Sequence, residues 1–135
     1  MLAAAALIGF GGLEALAGSL DIYEHNGSVI NWYVLGDSIT ATYATPRPGL
    51  EDVGVEKGAT LFKGEYEGGR IVGRAYAFKA GCPPASYQVI GEHIGNRIVL
   101  RGPAPHRAPN TCAVISYLAR SPHSELVLTY STTHH

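Results

Sequence analysis

Residues that favour turns divide most of this 135-residue chain into short segments. Beyond the first seventeen residues, Gly or Pro recurs roughly every 8–12 residues, and the runs between them are rich in Val, Ile, Tyr and Thr. β-Branched and aromatic residues favour strands, and such frequent turns leave no room for long helices. The spacing predicts an all-β fold of about nine short antiparallel strands, arranged as a small barrel or sandwich.

Three dipeptides predict tight hairpins within this fold. They are Asn26-Gly27, Gly68-Gly69 and Gly95-Asn96, and the first is the strongest signal because both central positions of such a turn need a positive φ. A two-residue turn at Gly68-Gly69 places Gly64 opposite Gly73, which predicts a bend in the sheet or, alternatively, a groove for a ligand. The nine predicted strands are Leu20–His25, Val29–Leu35, Ile39–Ala44, Thr60–Tyr66, Ile71–Phe78, Tyr87–Ile94, Arg97–Arg101, Cys112–Leu118 and Glu125–Tyr130, the last two forming a pair.

The first residues read as an export signal. Leu2 to Leu13 is an uncharged run of apolar and small residues, and Ala15-Leu16-Ala17 follows as a small-x-small cleavage site. The run is too short to cross a bilayer of about 30 Å as a helix. No Lys or Arg precedes it, so either the true signal begins upstream of Met1 or the segment is an atypical anchor. We expect a signal peptide over residues 1–17, one domain over 18–131, a short tail over 132–135, and a periplasmic or secreted location.

The two cysteines predict a disulfide. In an exported domain, Cys82 and Cys112 are expected to pair. Closing a loop of this length stabilises the fold by about 3.6 kcal/mol in the chain-entropy model, which is a large part of the 5–15 kcal/mol typical of a domain. Two buried thiols are the alternative.

Charge and histidine spacing exclude several functions. Cleavage after Ala17 removes Glu14 and leaves ten acidic side chains against the ten basic ones. A nucleic-acid surface or a polybasic membrane surface needs an excess of basic residues. Neither His-x-His nor His-Glu-x-x-His occurs, so we expect no metal and no cofactor.

One motif suggests a hydrolase. Gly36-Asp37-Ser38, after Val34-Leu35, resembles the Gly-Asp-Ser-Leu block of the SGNH/GDSL esterases, in which the serine is the nucleophile. In that family, a histidine near the C-terminus activates the serine and an aspartate stands three residues before it. His123 is the histidine candidate, but Arg120 occupies the position of the aspartate. Gly-Asp-Ser is also ordinary turn chemistry between two strands.

Basic residues beside prolines are the candidates for ligand binding. Arg47 lies between two prolines, and His106 and Arg107 follow Pro103-Ala104-Pro105. A stiff loop loses less entropy on binding, and arginine suits carboxylate or phosphate. These side chains are otherwise simply solvated, and Tyr87 is a further candidate at a loop end.

A longer pattern resembles a group of small exported bacterial domains, some of them appended to secreted caspase-like peptidases. The resemblance spans roughly Asp21 to Leu128. It implies an accessory or recognition module, and no catalytic residues accompany it. Its segments are Tyr23-Glu24-His25-Asn26-Gly27-Ser28, Pro46-Arg47-Pro48-Gly49-Leu50, Val53-Gly54-Val55, Thr60-Leu61-Phe62-Lys63-Gly64, Ala75-Tyr76-Ala77-Phe78, Cys82, Gly102-Pro103-Ala104-Pro105 and Cys112-Ala113-Val114-Ile115.

We therefore expect a non-enzymatic exported module. Its partner is a protein, a component of the cell envelope or a small ligand, bound through loops at one end of the domain. A serine esterase using Ser38 and His123 is the alternative function. Inhibition of a cell-wall enzyme is a third, suggested only by analogy of architecture.

Overall fold

A computed structural model describes residues 18–131 of the chain. The predicted signal peptide over 1–17 and the tail over 132–135 lie outside the described residues. No helix between residues 18 and 131 has the length and apolar character needed to cross a membrane. The strands are β1 (Ser19–His25), β2 (Ser28–Leu35), β3 (Ser38–Thr45), β4 (Thr60–Glu67), β5 (Arg70–Ala77), β6 (Ala85–Ile94), β7 (Arg97–Arg101), β8 (Ala104–Arg107), β9 (Val114–Leu118) and β10 (Glu125–Tyr130), with one 3₁₀ helix, Leu50–Val53.

Eight of these strands form a closed antiparallel barrel. The order around it is β1-β10-β7-β6-β5-β4-β3-β2, and β10 closes the ring against β1 through the pairs Tyr23–Tyr130 and Glu24–Thr129. Closure leaves no unpaired edge in the barrel wall. β8 and β9 form a separate two-stranded sheet, which we call the ribbon. The predicted all-β, antiparallel class is confirmed, as is the disulfide between Cys82 and Cys112.

The predicted hairpins have the expected geometry. Asn26 and Gly27 take φ values of 49° and 86°, as a tight turn between twisted strands requires. Gly64 lies opposite Gly73 in the pairing of β4 with β5.

The C-terminal part of the strand prediction was wrong. Cys112–Leu118 was expected to pair with Glu125–Tyr130, but β9 pairs with β8, and β10 lies between β7 and β1. Residues 18–131 therefore form ten strands, and the additional one is Ala104–Arg107. Prolines made this segment look like a loop. Each strand of a two-stranded ribbon has one unpaired edge, however, and proline is tolerated there.

Alternation along the strands fills the barrel with apolar side chains. At its centre the rings of Trp32 and Phe62 are stacked, with centroids 5.8 Å apart and planes 2° from parallel. The end of the Phe62 ring occupies the space that a Cβ of Gly64 or Gly73 would need. The dent between the paired glycines is thus filled from inside, which fits the bend and not a ligand groove.

The two ends of the barrel differ. The end that we call the turn end carries the two-residue turns at 36–37, 68–69 and 95–96, and aromatic rings pack against each other there. Tyr66 stacks on His93 with its hydroxyl 2.8 Å from Nε2, and Tyr23 meets Tyr130 edge to face. The opposite end, the capped end, carries the Asn26-Gly27 turn, the loops 78–84 and 102–124, and a segment over 46–59 that we call the cap loop.

Candidate ligand-binding cavity at the capped end

A cavity of about 100 Å³ lies inside the capped end of the barrel. The cap loop covers it from one side, and the loop before β10 covers it from the other. Apolar side chains make up much of its wall, and a few polar groups face it from separate elements. Its lining comprises His25, Asn26, Ser28, Tyr43, Arg47, Leu50, Val53, Val55, Leu61, Tyr76, Ala77, Phe78, Tyr87, Pro122, His123, Glu125 and Leu126.

The cap loop is held over the barrel by backbone hydrogen bonds. The amide of Gly58 donates to the carbonyl of Tyr43 over 2.8 Å, and the amide of Val55 donates to the carbonyl of Leu50 over 3.1 Å. Val55 is buried within the barrel core. The cavity roof is therefore largely preformed, which lowers the entropy cost of binding.

His25 ends β1 and turns its ring into the barrel. Nδ1 lies 3.0 Å from the carbonyl oxygen of Val127, and since a carbonyl only accepts, Nδ1 carries the hydrogen. Nε2 is then the acceptor of the neutral ring. Burial is the main cause and lowers the pKa of His25; the hydrogen bond to the Val127 carbonyl and the charge of Glu24 oppose it in part, and His123 and Arg47 lower the pKa by smaller amounts. The ring is therefore neutral near pH 7.

Arg47 is the second residue of the cap loop and lines the cavity. Its amide donates to the hydroxyl oxygen of the buried Ser28 over 2.9 Å, which fixes the backbone. The side chain is exposed and its stem runs beside Gly27. Across residues 18–131 the one ion pair joins Arg101 to Glu125, so Arg47 has no carboxylate partner in that part of the chain.

Tyr87 attaches the opposite rim to the barrel wall. Its hydroxyl donates to the carbonyl of His123 over 2.5 Å. Burial raises the pKa of Tyr87 and also that of Tyr43, so both phenols stay protonated. The hydrogen bond fixes the backbone of the exposed His123, which also lines the cavity.

The rim of the cavity has an excess of basic groups. His25, Arg47 and His123 come from three different elements and interact electrostatically through His25. Glu125 is the one carboxylate in the lining, and its Oε2 already accepts from Nε of Arg101 over 2.8 Å. Its negative charge is therefore already shared with another arginine.

Of the three predicted binding residues, the structure brings only Arg47 to this cavity. Arg107 does not line the cavity. Its guanidinium donates hydrogen bonds to the carbonyls of Cys112 and Pro83 over 3.0 and 2.9 Å, and a longer one to that of Ala77. His106 is exposed on β8 opposite Ser116. Tyr87, the further candidate, lines the cavity from inside.

The residues of the alternative esterase lie at opposite ends of the barrel. Ser38 begins β3 at the turn end, whereas His123 precedes β10 at the capped end. A serine needs a base within hydrogen-bond reach to act as a nucleophile, and this pair does not provide one. In the described part of the chain, no three His, Cys, Asp or Glu side chains are grouped closely enough to hold a metal ion.

Sequence reasoning missed the buried polar residues of the cavity, His25 and Ser28. The signal was present, because His25 is two residues from Tyr23 on the same face of its strand. The two-residue turn at Asn26-Gly27 pairs Ser28 with His25 in the strand ladder. The position of Ser28 could therefore have been deduced from the turn. Both were read as parts of the hairpin alone.

Comparison with protein-family models, curated proteins and solved structures finds no match for this chain. The resemblance to small exported domains and to segments of caspase-like peptidases stays a prediction.

Proposed function

We propose that this domain is a binding module that holds a small ligand in the cavity of its capped end. The observation that carries the proposal is the meeting of His25, Arg47 and His123 at the rim of one apolar cavity. An apolar hollow with a few convergent polar groups is the usual form of a small-molecule site.

The arrangement of the surrounding elements supports a binding role. Barrel strands are rigid supports, and the loops at one end of a barrel can vary without disturbing the wall. The cap loop and the Tyr87 hydrogen bond hold both rims in place before a ligand arrives. The expected export agrees with a module that captures its ligand outside the cytoplasm, and that location is part of the proposal.

The test is a thermal-shift screen of small molecules on three forms of the domain. Val53→Phe places a larger ring on the cap loop at the cavity, where Val53 is 36% exposed and can accept it. Val29→Phe makes the same change at a residue that is 37% exposed and does not line the cavity. A ligand of the cavity raises the melting temperature of wild type and of Val29→Phe, and not that of Val53→Phe.

Two results would overturn the proposal. One is a set of stabilising compounds that act equally on Val53→Phe and on the other two forms. The other is a screen in which no compound stabilises wild type, with all three forms folded by circular dichroism.

A further inference from the structure

We infer that the group bound in this cavity is the carboxylate of a ligand with a short apolar chain, and that its binding takes up a proton. This inference rests on the proposed function and specifies the chemistry of the same site. The shared chemistry is that of a small free acid or of the C-terminal carboxylate of a peptide.

The charges at the rim favour an anion. Arg47 has no carboxylate partner within residues 18–131, and His123 lines the same cavity. Guanidinium groups bind carboxylates through two parallel hydrogen bonds, which are among the strongest in proteins. Arg47 would repel a cationic ligand, and a neutral ligand would leave the charge of the Arg47 guanidinium without a partner.

The cavity wall and volume favour a carboxylate with an apolar chain over phosphate. Leu50, Val53, Leu61, Phe78 and Leu126 are among the apolar side chains of the wall. A phosphate needs donors around three or four oxygens, whereas a carboxylate concentrates its charge at one end. The volume of about 100 Å³ is well below the 300–1,000 Å³ of sites for drug-sized molecules, so only a chain of a few carbons fits inside.

The position of His25 couples binding to protonation. Its Nδ1 hydrogen is used by the Val127 carbonyl, so the neutral ring offers only an acceptor to the cavity. A carboxylate needs a donor, which the ring provides once Nε2 is protonated. In the free protein burial is the main effect that opposes that proton, and His123 and Arg47 oppose it by smaller amounts; a bound carboxylate adds a negative charge that favours it.

Other groups around His25 also act on its charge, and burial outweighs all of them. Glu24 favours it but also binds the Gly27 amide on the outside of the hairpin. Glu125 is paired with Arg101, while Tyr43 and Tyr87 remain neutral because burial raises the pKa of each phenol. The approach of a carboxylate is therefore the change that charges the ring, and affinity rises as pH falls.

The experiment is isothermal titration calorimetry of the mature domain at about pH 6 and about pH 8. The probes are butyrate, its neutral analogue butyramide, inorganic phosphate, and N-acetyl-Ala-Ala as a peptide C-terminus. We expect butyrate to bind, butyramide and phosphate to bind at least about tenfold more weakly, and butyrate to bind more tightly at the lower pH. Repeating the titration in two buffers of different ionisation enthalpy gives the number of protons taken up.

Variants assign the effect to residues. Arg47→Gln removes the charge at the rim, and we expect butyrate affinity to fall by about tenfold. Arg97→Gln makes the same change at the start of β7, at the turn end, and should leave affinity unchanged. His25→Asn keeps a donor near the position of Nδ1 but cannot be protonated, so proton uptake should fall.

Each outcome separates the inference from the proposed function. Equal binding of butyrate and butyramide, blocked by Val53→Phe, would keep the cavity as a site and overturn the carboxylate. Tight phosphate binding or unchanged proton uptake in His25→Asn would also overturn it. If only butyrate binds, the source is a free acid; if N-acetyl-Ala-Ala binds as tightly, it is a peptide C-terminus. If no probe binds although the thermal screen finds ligands of the cavity, the inference of carboxylate binding is wrong and the proposed function still stands.

Discussion

At the scale of single residues, basic side chains with similar neighbours have different tasks. Arg107 gives its guanidinium to backbone carbonyls of two loops and thereby joins the ribbon to the barrel. Arg47 uses only its backbone amide for the fold, leaving its charged end at the cavity rim. Both lie near prolines in the sequence, so local context does not distinguish them.

Loss of the Arg107 guanidinium should destabilise the domain. Arg107→Gln leaves the Cys112 and Pro83 carbonyls without their charged donor, and we expect a loss of about 2 kcal/mol in the free energy of unfolding. His106→Gln changes the exposed neighbour and should cost less than about 0.5 kcal/mol. Urea unfolding of the two variants beside wild type measures both values. Equal stability of the two variants would show that Arg107 does not hold the ribbon.

His25 should make stability depend on pH. Its pKa in the folded protein lies below the usual value near 6.5, chiefly because the ring is buried. At a pH above the usual value near 6.5, the ring is neutral in both the folded and the unfolded state, and His25 costs the fold no stability. As pH falls below it, the unfolded chain takes up a proton that the folded protein resists, so stability declines. Urea unfolding at about pH 7.5 and about pH 5 should show a smaller decline in His25→Asn than in wild type; an equal decline would contradict the assignment.

At the scale of elements, the ribbon is a sheet separate from the barrel wall. Its strands pair only with each other, and all of β9 except Val114 is exposed. The disulfide joins the loop between β5 and β6 to the residue two places before β9, with a Cα–Cα distance of 5.4 Å. Lys79 adds a hydrogen bond to the carbonyl of Thr111 over 2.9 Å.

Removal of the disulfide should loosen the ribbon before the barrel. A double variant with Cys82→Ser and Cys112→Ser should lose about 3–4 kcal/mol of stability by the chain-entropy model. Hydrogen exchange, followed residue by residue, should show a greater loss of amide protection in β8 and β9 than in the barrel strands. Equal loss in the ribbon and the barrel would contradict this account of the disulfide.

The elements that local signals specify are those that sequence reasoning could predict. A turn such as Asn26-Gly27 fixes the register of its own hairpin, so β1–β2, β4–β5 and β6–β7 followed from the sequence. The pairing of β9 with β8 depends on contacts between distant loops. Pro105 hid β8 because proline is normally a sign against strand structure.

The candidate site was only partly predictable for the same reason. Arg47 was a candidate because prolines flank it in the sequence, but the same local signal also selected Arg107. His25 and His123 are far apart in the sequence, and only closure of β10 onto β1 brings their segments to one end of the barrel. The same topology separates Ser38 from His123, which a motif in the sequence could not reveal.

At the scale of the whole molecule, the barrel has one filled end and one hollow end. At the turn end, aromatic rings occupy the mouth, and burial, together with Asp21 and neighbouring tyrosines, raises the pKa of Tyr23 to about 12. At the capped end, loops cover a cavity and leave basic groups around it. Binding should therefore be confined to one end.

The most direct test of this account is an NMR titration of the ¹⁵N-labelled domain with butyrate, reading the shift of every backbone amide. We predict saturable shifts confined to the Asn26-Gly27 turn, the cap loop and residues 122–126, with the turn end unchanged. Saturable shifts centred on the turns at 36–37, 68–69 and 95–96 would contradict the assignment of the site. Shifts that stay linear in butyrate concentration over the whole barrel would contradict a specific site at the capped end.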